Sequence, residues 1–309
     1  MNNPTLLHHA VETMEVGSKS FATASKLFDA KTRRSVLMLY AWCRHCDDVI
    51  DEQELGFASN IPSAQSPQQR LEDLEAKTRQ AYAGAQMPEP AFAAFQEVAI
   101  AHDISPAYAF GHLEGFAMDV RGARYETLQD TLRYCYHVAG VVGLMMAQIM
   151  GVRDEATLDR ACDLGIAFQL TNIARDIVED ARAGRCYLPE SWLEEAGLDR
   201  LHFADRAHRT ALAGLARRLV SEAEPYYASA TAGLAGLPLR SAWAIATAKE
   251  VYRRIGVKVY QAGETAWDNR QSTSKQEKLL LLAAGSVQAV RSRAAASPPR
   301  PAELWQRPR

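Results

Sequence analysis

The chain has 309 residues, of which 48% are hydrophobic and 23% charged, and its 35 Lys and Arg against 37 Asp and Glu give a formal net charge of −2. This balance argues against a nucleic-acid partner, which favours a basic face, and the composition excludes a disordered, collagen-like or disulfide-stabilised chain. Five cysteines, few and odd in number, and a start without the pattern of a secretory signal predict a reduced, cytoplasmic protein.

Taken in chain order, the sequence predicts helices almost throughout, because Ala, Leu, Glu, Gln and Arg dominate and strand-forming alternation is nearly absent. Apolar residues recur at helical spacing, as at Leu212, Leu215 and Leu219. The predicted helices span residues 8–28, 33–52, 67–83, 90–101, 106–120, 127–150, 155–180, 205–233, 239–263 and 274–293.

Each loop between these helices is followed at once by another helical pattern, so we predict one all-α domain over residues 1–293. Residues 294–309 contain four prolines and several arginines, and this composition predicts a disordered tail. One uncharged stretch, residues 134–152, has about the minimum length of a membrane span. Because it contains a histidine, a glutamine and three glycines, we interpret it as a buried core helix.

Two pairs of aspartates are the most informative residues. Asp47 and Asp51 directly follow an apolar run, and Asp176 and Asp180 repeat the same spacing at the end of a later apolar helix. Residues four apart lie on one helix face, so each pair places two carboxylates side by side, which destabilises a bare helix by about 0.2–0.5 kcal/mol. A cation between the carboxylates reverses the sign of that interaction.

Two helices that each carry such a pair are suited to hold hard divalent cations between them. Carboxylates favour Mg²⁺ or Mn²⁺, which take their remaining ligands from water and phosphate oxygens. Asn172 lies one turn before Asp176 and can add an amide oxygen. A solvated acidic face is the alternative for either pair alone, but Arg44, Arg175 and the apolar, aromatic neighbours of both pairs favour a metal site.

Four stretches of the chain resemble elements of the squalene and phytoene synthases. The first aspartate motif of that family is similar to YAWCRHCDDVID (residues 40–51), and the second to LGIAFQLTNIARDIVEDARAGRCYLP (residues 164–189). Two further elements of the family are similar to YHVAGVVG (residues 136–143) and SKSF (residues 18–21). All four occur in the family's order, and within the family the chain most resembles the bacterial phytoene synthases of carotenoid pathways.

The resemblance implies an isoprenoid-synthase fold, a single large helical bundle around a central substrate cavity. It also implies a prenyltransferase that joins two geranylgeranyl diphosphates head to head, through the cyclopropyl intermediate prephytoene diphosphate, to give phytoene and two diphosphates. Two or three Mg²⁺ or Mn²⁺ ions would bridge the diphosphates. No NAD(P)H is expected, because the reaction ends by loss of a proton and the chain has no GxGxxG fingerprint.

The resemblance also implies roles for individual residues. Divalent cations would act as Lewis acids on the leaving diphosphate, and their predicted ligands are Asp47, Asp51, Asn172, Asp176 and Asp180. The predicted substrate-binding residues are Ser18, Lys19, Phe21, Tyr40, Arg44, Gln169, Arg175, Arg185, Tyr252 and Arg270. Released diphosphate is the simplest base for the final proton, and Tyr136, a predicted catalytic residue, or Tyr252 would position it.

A carbocation must be kept from water, and aromatic faces stabilise a cation by about 0.5–2 kcal/mol. We therefore predict a dry cavity lined by Phe21, Tyr40, Tyr136, Val141, Leu144 and Phe168. Gly140 and Gly143 predict a close backbone approach, either to a prenyl chain or to another helix.

Three other functions remain as alternatives. One is a thirty-carbon squalene or dehydrosqualene synthase that uses farnesyl diphosphate, and another is a non-catalytic assembly factor, which would be expected to lose metal-site carboxylates. The third is a head-to-tail prenyltransferase or terpene cyclase, and these lack the Arg-x-Tyr-x-Pro element at residues 185–189. An almost insoluble product also suggests peripheral contact with the inner membrane, with residues 279–284 beside Arg291 and Arg293 as a hypothetical contact, although a core helix is the preferred interpretation there.

Overall fold

The computed structural model of the chain describes residues 4–54, 57–58, 64–294 and 297–309. Over these ranges the prediction of an all-α chain is confirmed, apart from one antiparallel pairing of two-residue strands, β1 (Gln53–Glu54) with β2 (Phe57–Ala58). The helices are α1 (Pro4–Gly17), α2 (Lys19–Ser25), α3 (Ala30–Asp51), α4 (Pro67–Tyr82), α5 (Pro90–His102), α6 (Pro106–Val120), α7 (Leu128–Cys135), α8 (Val141–Ile149), α9 (Glu155–Arg182), α10 (Glu190–Glu195), α11 (Arg209–Gly233), α12 (Leu239–Ala262) and α13 (Lys275–Arg291).

The predicted helix over residues 8–28 is divided at Ser18. This residue has an extended backbone and caps α2, because its hydroxyl accepts the backbone N–H of Phe21 at 3.2 Å. Gly17, the last residue of α1, allows the hydroxyl of Tyr40 on α3 to approach the backbone, since a Cβ at Gly17 would lie 2.5 Å from that oxygen. The break therefore brings α1, α2 and α3 together at one point.

The predicted helix over residues 127–150 also differs, because a π-helical turn, Tyr136–Gly140, separates α7 from α8. Single π turns inside helices occur often at functional sites. Most of the uncharged stretch is packed inside the protein, as Tyr134, Leu144 and Met145 illustrate with at most 4% exposure. Among the described residues, no helix is both long and apolar enough to cross a bilayer.

Helix α9 is central to the bundle, and it packs against α8, α11, α12 and the π turn. Two glycines set the closeness of this packing. A Cβ at Gly143 would collide with the carbonyl oxygen of Ala161 on α9, and a Cβ at Gly165 would collide with that of Ala139 in the π turn. At Gly143 the structure therefore shows the close approach of another helix, and because Gly143 also lines the central cavity, the alternative of a close approach to a prenyl chain stays open.

The end of the chain differs from the predicted disordered tail, because residues 297–309 lie against the bundle. Arg300 forms a bidentate ion pair with the buried Asp163 at 2.7 and 2.8 Å. Leu304 is buried, and the ring of Trp305 contacts that of Tyr136 with centroids 5.0 Å apart. A segment rich in proline and charge is typical of disorder. Here the arginines form ion pairs with carboxylates of α9, and composition alone does not reveal such partners.

Candidate active site

A central cavity of about 860 Å³ lies between α3, α6, α8, α9, α11 and α12. One end is polar and is lined by Arg44, Asp47, Asp119, Asn172, Arg175, Arg185 and Arg270. The remainder is mostly apolar, with α9 supplying one wall at helical spacing through Ala161, Leu164, Gly165 and Phe168. The cavity thus joins a charged mouth to an apolar channel.

Helix α3 carries the first aspartate pair at this mouth. Arg44 contacts Asp47 and Asp48, each at 2.9 Å, because they lie three and four residues further along the same helix. Asp51 is held from outside the helix by Arg185, which follows α9 and donates to both carboxylate oxygens. The loop after the second motif is therefore tied to the end of the first.

Helix α9 carries the second pair. Arg175 donates to both oxygens of Asp176, with Nε 2.8 Å from Oδ1, and Arg270 donates to Asp176 at 3.1 Å and to Glu179 at 2.7 Å. Arg270 precedes α13, so the C-terminal part of the chain also reaches the mouth. Asp176 thus receives two arginines from different parts of the chain.

The arginines, rather than most of the carboxylates, face the cavity. Arg44, Arg175, Arg185 and Arg270 line it together with Asp47, whereas the other three predicted carboxylate ligands lie behind them. Each arginine can bind a phosphate group through parallel hydrogen bonds. The mouth therefore presents cationic donors to an anion, with carboxylates immediately behind.

Two carboxyl groups at the mouth have raised pKa values, because the arginines do not fully offset the effect of burial on their charged forms. Burial raises the pKa of Asp47 to about 7, with Asp51 adding to the rise and Arg44 opposing it. Burial also raises the pKa of Asp180 to about 8, and the neighbouring Asp176 adds to that rise. Both values indicate carboxylates that would gain from a nearby cation.

These residues fit a divalent cation by their chemistry. Among the described residues, no three His, Cys, Asp or Glu side chains lie close enough together to hold a metal ion by themselves. However, the Oδ1 atom of Asn172 is buried and accepts no hydrogen bond from any residue that the structure describes. A buried amide oxygen without a donor, beside under-compensated carboxylates, is the donor set that Mg²⁺ or Mn²⁺ takes together with phosphate oxygens and water.

Most of the predicted substrate-binding residues line the cavity: Ser18, Phe21, Tyr40, Arg44, Gln169, Arg175, Arg185, Tyr252 and Arg270. The side chain of Lys19 lies outside the described residues. Aromatic rings meet on two sides, with Phe168 stacked on Tyr252 at 4.2 Å and Phe21 facing Tyr40 at 6.3 Å between centroids. These rings form part of the wall nearest the mouth.

The prediction that Tyr136, Val141 and Leu144 line the cavity is wrong. The latter two are fully buried in the core, and the ring of Tyr136 packs on Trp305 of the C-terminal segment. Tyr134 lines the cavity instead. Residues two apart on a helix point about 200° apart, so only one of the two tyrosines can face inward.

A hydrogen-bonded cluster around Asp119 also lies at the mouth, and it was not predicted from the sequence. The hydroxyls of Tyr134 and Tyr187 donate to its two carboxylate oxygens, each at 3.1 Å, and the two rings are stacked with centroids 4.5 Å apart. Burial raises the pKa of Asp119 to about 6, although Arg185 and the two hydroxyls oppose the rise. The position of Asp119 at the end of an apolar helix, as in the two aspartate motifs, is the signal that marks it in the sequence.

Comparison with known proteins gives a consistent result. A family model described as squalene/phytoene synthase matches residues 14–278. The chain is 78% identical to a 15-cis-phytoene synthase of Pantoea ananas over 308 residues, with 100% of both chains covered. It is 50% identical to a 15-cis-phytoene synthase of Paracoccus sp. (strain N81106 / MBIC 01143) over 299 residues, which cover 97% of each chain.

Solved structures show the same fold. A dehydrosqualene synthase in complex with a ligand is similar with a TM-score of 0.81 and 27% identity, over 93% of this chain and 97% of that one. A squalene synthase from Alicyclobacillus acidocaldarius has a TM-score of 0.71 at 22% identity, over 84% of this chain and 97% of that one, and supports the fold alone. From its two aspartate helices, its central cavity and these matches, the chain belongs to the squalene/phytoene synthase family.

Proposed function

We propose that this chain is a phytoene synthase, a prenyltransferase of carotenoid biosynthesis that condenses two geranylgeranyl diphosphates head to head into phytoene. The relatives named 15-cis-phytoene synthase, at up to 78% identity over the whole chain, support the activity. The observation that carries it is the single cavity in which a mouth of arginines and carboxylates opens onto an apolar channel. Such a cavity suits an anionic head and a hydrocarbon tail on one substrate.

The arginines at the mouth bind the diphosphates in this proposal. Arg44, Arg175, Arg185 and Arg270 supply charge-assisted donors that neutralise the leaving group as its negative charge grows. Mg²⁺ or Mn²⁺ would supply Lewis-acid assistance there, held by Asp47, Asp51, Asn172, Asp176 and Asp180. Ionisation of the allylic C–O bond is the step that both contributions favour.

The apolar channel protects the carbocation. Phe21, Tyr40, Phe168 and Tyr252 present rings that exclude water and stabilise positive charge near the mouth. A proton is lost at the end of the reaction, and diphosphate retained by the arginines is the base in this proposal. Because Tyr136 lies outside the cavity, Tyr134 and Tyr252 are the tyrosines that position it.

A defined reaction tests this function. Purified chain is incubated with farnesyl or geranylgeranyl diphosphate, Mg²⁺ and no NADPH, and the hydrocarbons are analysed. Phytoene from the twenty-carbon substrate is the expected product. The similarity to a dehydrosqualene synthase keeps the thirty-carbon activity as the second candidate. Reaction of the shorter substrate alone would contradict the forty-carbon assignment.

A peripheral contact with the inner membrane is also part of this proposal, for a protein that otherwise resides in the cytoplasm. The outward face of α13 is apolar, with Leu279 69%, Leu280 71% and Val290 61% exposed. Lys275 and Arg291 stand exposed at its two ends. An apolar helix face with cations at its borders is suited to lie in an anionic lipid surface, where a water-insoluble product can leave.

A further inference from the structure

The cavity is deep along α9 and ends near Arg160. Cavity-lining residues follow one face of this helix from Asn172, beside the carboxylates, to Arg160 and Thr157. Asn172 and Arg160 are twelve residues apart, which at 1.5 Å per residue is about 18 Å along the helix. Gly233 and Leu234 complete the end of the cavity opposite Arg160.

This depth corresponds to one particular hydrocarbon length. Each isoprene unit adds four chain bonds, or about 5 Å when extended, from the bond geometry that places Cα atoms 3.8 Å apart over three bonds. Four units therefore reach about 20 Å from the diphosphate, to the level of Arg160. A fifth unit would have to pass Arg160.

Arg160 is a firm end to the channel. Its side chain is buried, with 8% exposure, and its guanidinium donates to the backbone carbonyls of Ser229 at 3.1 Å and of Pro298. Its stem packs tightly on α11, since a Cβ at Gly233 would lie only 2.8 Å from the Cβ of Arg160. A hydrocarbon cannot replace these hydrogen bonds, so moving the guanidinium aside would leave buried polar groups unpaired.

Residues 297–309, the C-terminal strap, hold Arg160 in place by bridging α9 and α11. Ser297 donates to the carbonyl of Ala232 on α11 at 2.9 Å, and Arg300 pairs with Asp163 on α9. Asp163 in turn accepts the hydroxyl of Ser229. The carbonyl of Pro298 lies between these two attachments, which fixes the acceptor of Arg160.

We propose that Arg160, held by the C-terminal strap, is the chain-length stop of the cavity, admitting a prenyl diphosphate of four isoprene units and rejecting one of five. This inference rests on the proposed function for the class of substrate. In this proposal the C-terminal strap takes part in substrate selection through Arg160, and Arg160 acts by contact with the far end of the prenyl chain.

Two variants and a matched control test the stop. R160A and deletion of residues 297–309 are compared with R309A, which alters the same segment at an exposed side chain whose guanidinium donates to Glu155 and Asp159. Binding of the unreactive geranylgeranyl and geranylfarnesyl thiodiphosphates is measured by calorimetry, beside turnover of the parent diphosphates. The intact chain and R309A should prefer the four-unit ligand at least tenfold, whereas R160A and the deletion should bring that ratio close to one.

The outcomes separate this inference from the proposed function. If R160A and the deletion fold but keep the tenfold preference, the proposed stop is contradicted. It is also contradicted if R309A loses the preference to the same extent. If the variants change the binding ratio but the intact protein makes no phytoene, the stop is supported and the proposed reaction is contradicted. If both variants unfold, the intact protein is labelled instead with a geranylgeranyl diphosphate that carries a photoreactive group at its far end. This group should label peptides containing Thr157, Arg160 or Gly233, and labelling elsewhere contradicts the stop.

Discussion

At the scale of single residues, the site is built from pairs of opposite charge. Arg44, Arg175 and Arg185 each hold an aspartate within hydrogen-bonding distance. These contacts leave donors to spare, since the buried Nε of Arg44 has no acceptor among the described residues, and a diphosphate would offer the arginines further acceptors. The carboxylates and the arginines are therefore expected to contribute as a unit, so that single substitutions will not be additive.

Replacing Asp176 tests that unit. D176N keeps the shape of the side chain but removes a charge, and we expect turnover of geranylgeranyl diphosphate to fall at least about a hundredfold, because Lewis-acid assistance contributes several kcal/mol and each 1.36 kcal/mol is a factor of ten. Helical circular dichroism should stay unchanged. E75Q, on the outer helix α4, is the control and should retain full activity; retained activity in D176N would contradict a metal-assisted site.

The tyrosine pair gives a second prediction. We predict that the ionised Asp119, which lines the mouth of the cavity, contributes to turnover. Y134F removes a hydrogen bond to this carboxylate, of a kind worth about 1.5–3 kcal/mol, so the rate should fall by up to roughly 10- to 150-fold. That hydrogen bond lowers the pKa of Asp119, which burial has raised to about 6. Its loss raises the pKa further, so the acid limb of the pH–rate profile should move to higher pH.

Y136F is the matched control, because Tyr136 packs on Trp305 away from the cavity. It should keep the wild-type rate and pH profile. A larger rate loss in Y136F than in Y134F would contradict the placement of the two rings.

The same pair shows what the sequence can and cannot predict at this scale. Spacing placed each aspartate pair on one helix face, because residues on one helix keep a fixed angular relation. It did not show that Asp47 and Asn172 line the cavity whereas Asp51, Asp176 and Asp180 do not, and their role as metal ligands stays a prediction. Spacing also could not decide between Tyr134 and Tyr136, since that choice depends on how α7 is rotated and on the π turn that follows. The partners of Asp119 were missed because Tyr187 is distant in sequence and meets it only through the fold.

At the scale of elements, close packing of α9 depends on residues without side chains. Gly165 faces the backbone of the π turn, and Gly143 faces the backbone of α9. Helix bounds were predicted well where Ser or Pro begins a helix, as at Ser66 and Pro67. The order of the C-terminal segment was not predicted, because it comes from ion pairs with residues of α9 that are far away in the sequence.

G165A should lower the free energy of unfolding by about 1–3 kcal/mol, because the added methyl would collide with a backbone carbonyl that cannot rotate away. G214A is its control on α11, where a Cβ meets nothing within 4 Å. That change should stabilise the protein by about 0.5–1 kcal/mol, from the higher helix propensity of alanine. Urea unfolding followed by circular dichroism measures both, and equal effects would contradict the described packing of α9.

At the scale of the whole molecule, the exposed face of α13 bears on whether the protein contacts a membrane. The apolar sequence favoured a core helix here, yet Leu279 and Leu280 are largely exposed. Single exposed leucines are common on protein surfaces, but exposed leucines placed together beside cations indicate an interaction site. The face lies on the same molecule as a channel shaped for hydrocarbon.

The double variant L279S/L280S tests the proposed membrane contact. We expect its partition onto vesicles of phosphatidylcholine with phosphatidylglycerol to fall at least about tenfold, since burying a leucine contributes about 1.5–3 kcal/mol. High salt should weaken binding of the unaltered chain. L201S removes a leucine that is more exposed, at 84%, from another surface, and this variant should bind like the unaltered chain. Absence of vesicle binding at low salt would remove the contact altogether.

Because α9 carries the polar mouth, the channel wall and Arg160 on a single face, its length is constrained in a way that its side chains are not. Inserting one residue midway would turn everything beyond it by about 100° and advance it by 1.5 Å, so that the aspartates and the channel wall would no longer share an orientation. Exchanges of individual amino acids along α9 would keep this shared orientation and could alter the depth of the channel, whereas an insertion or deletion there would destroy it.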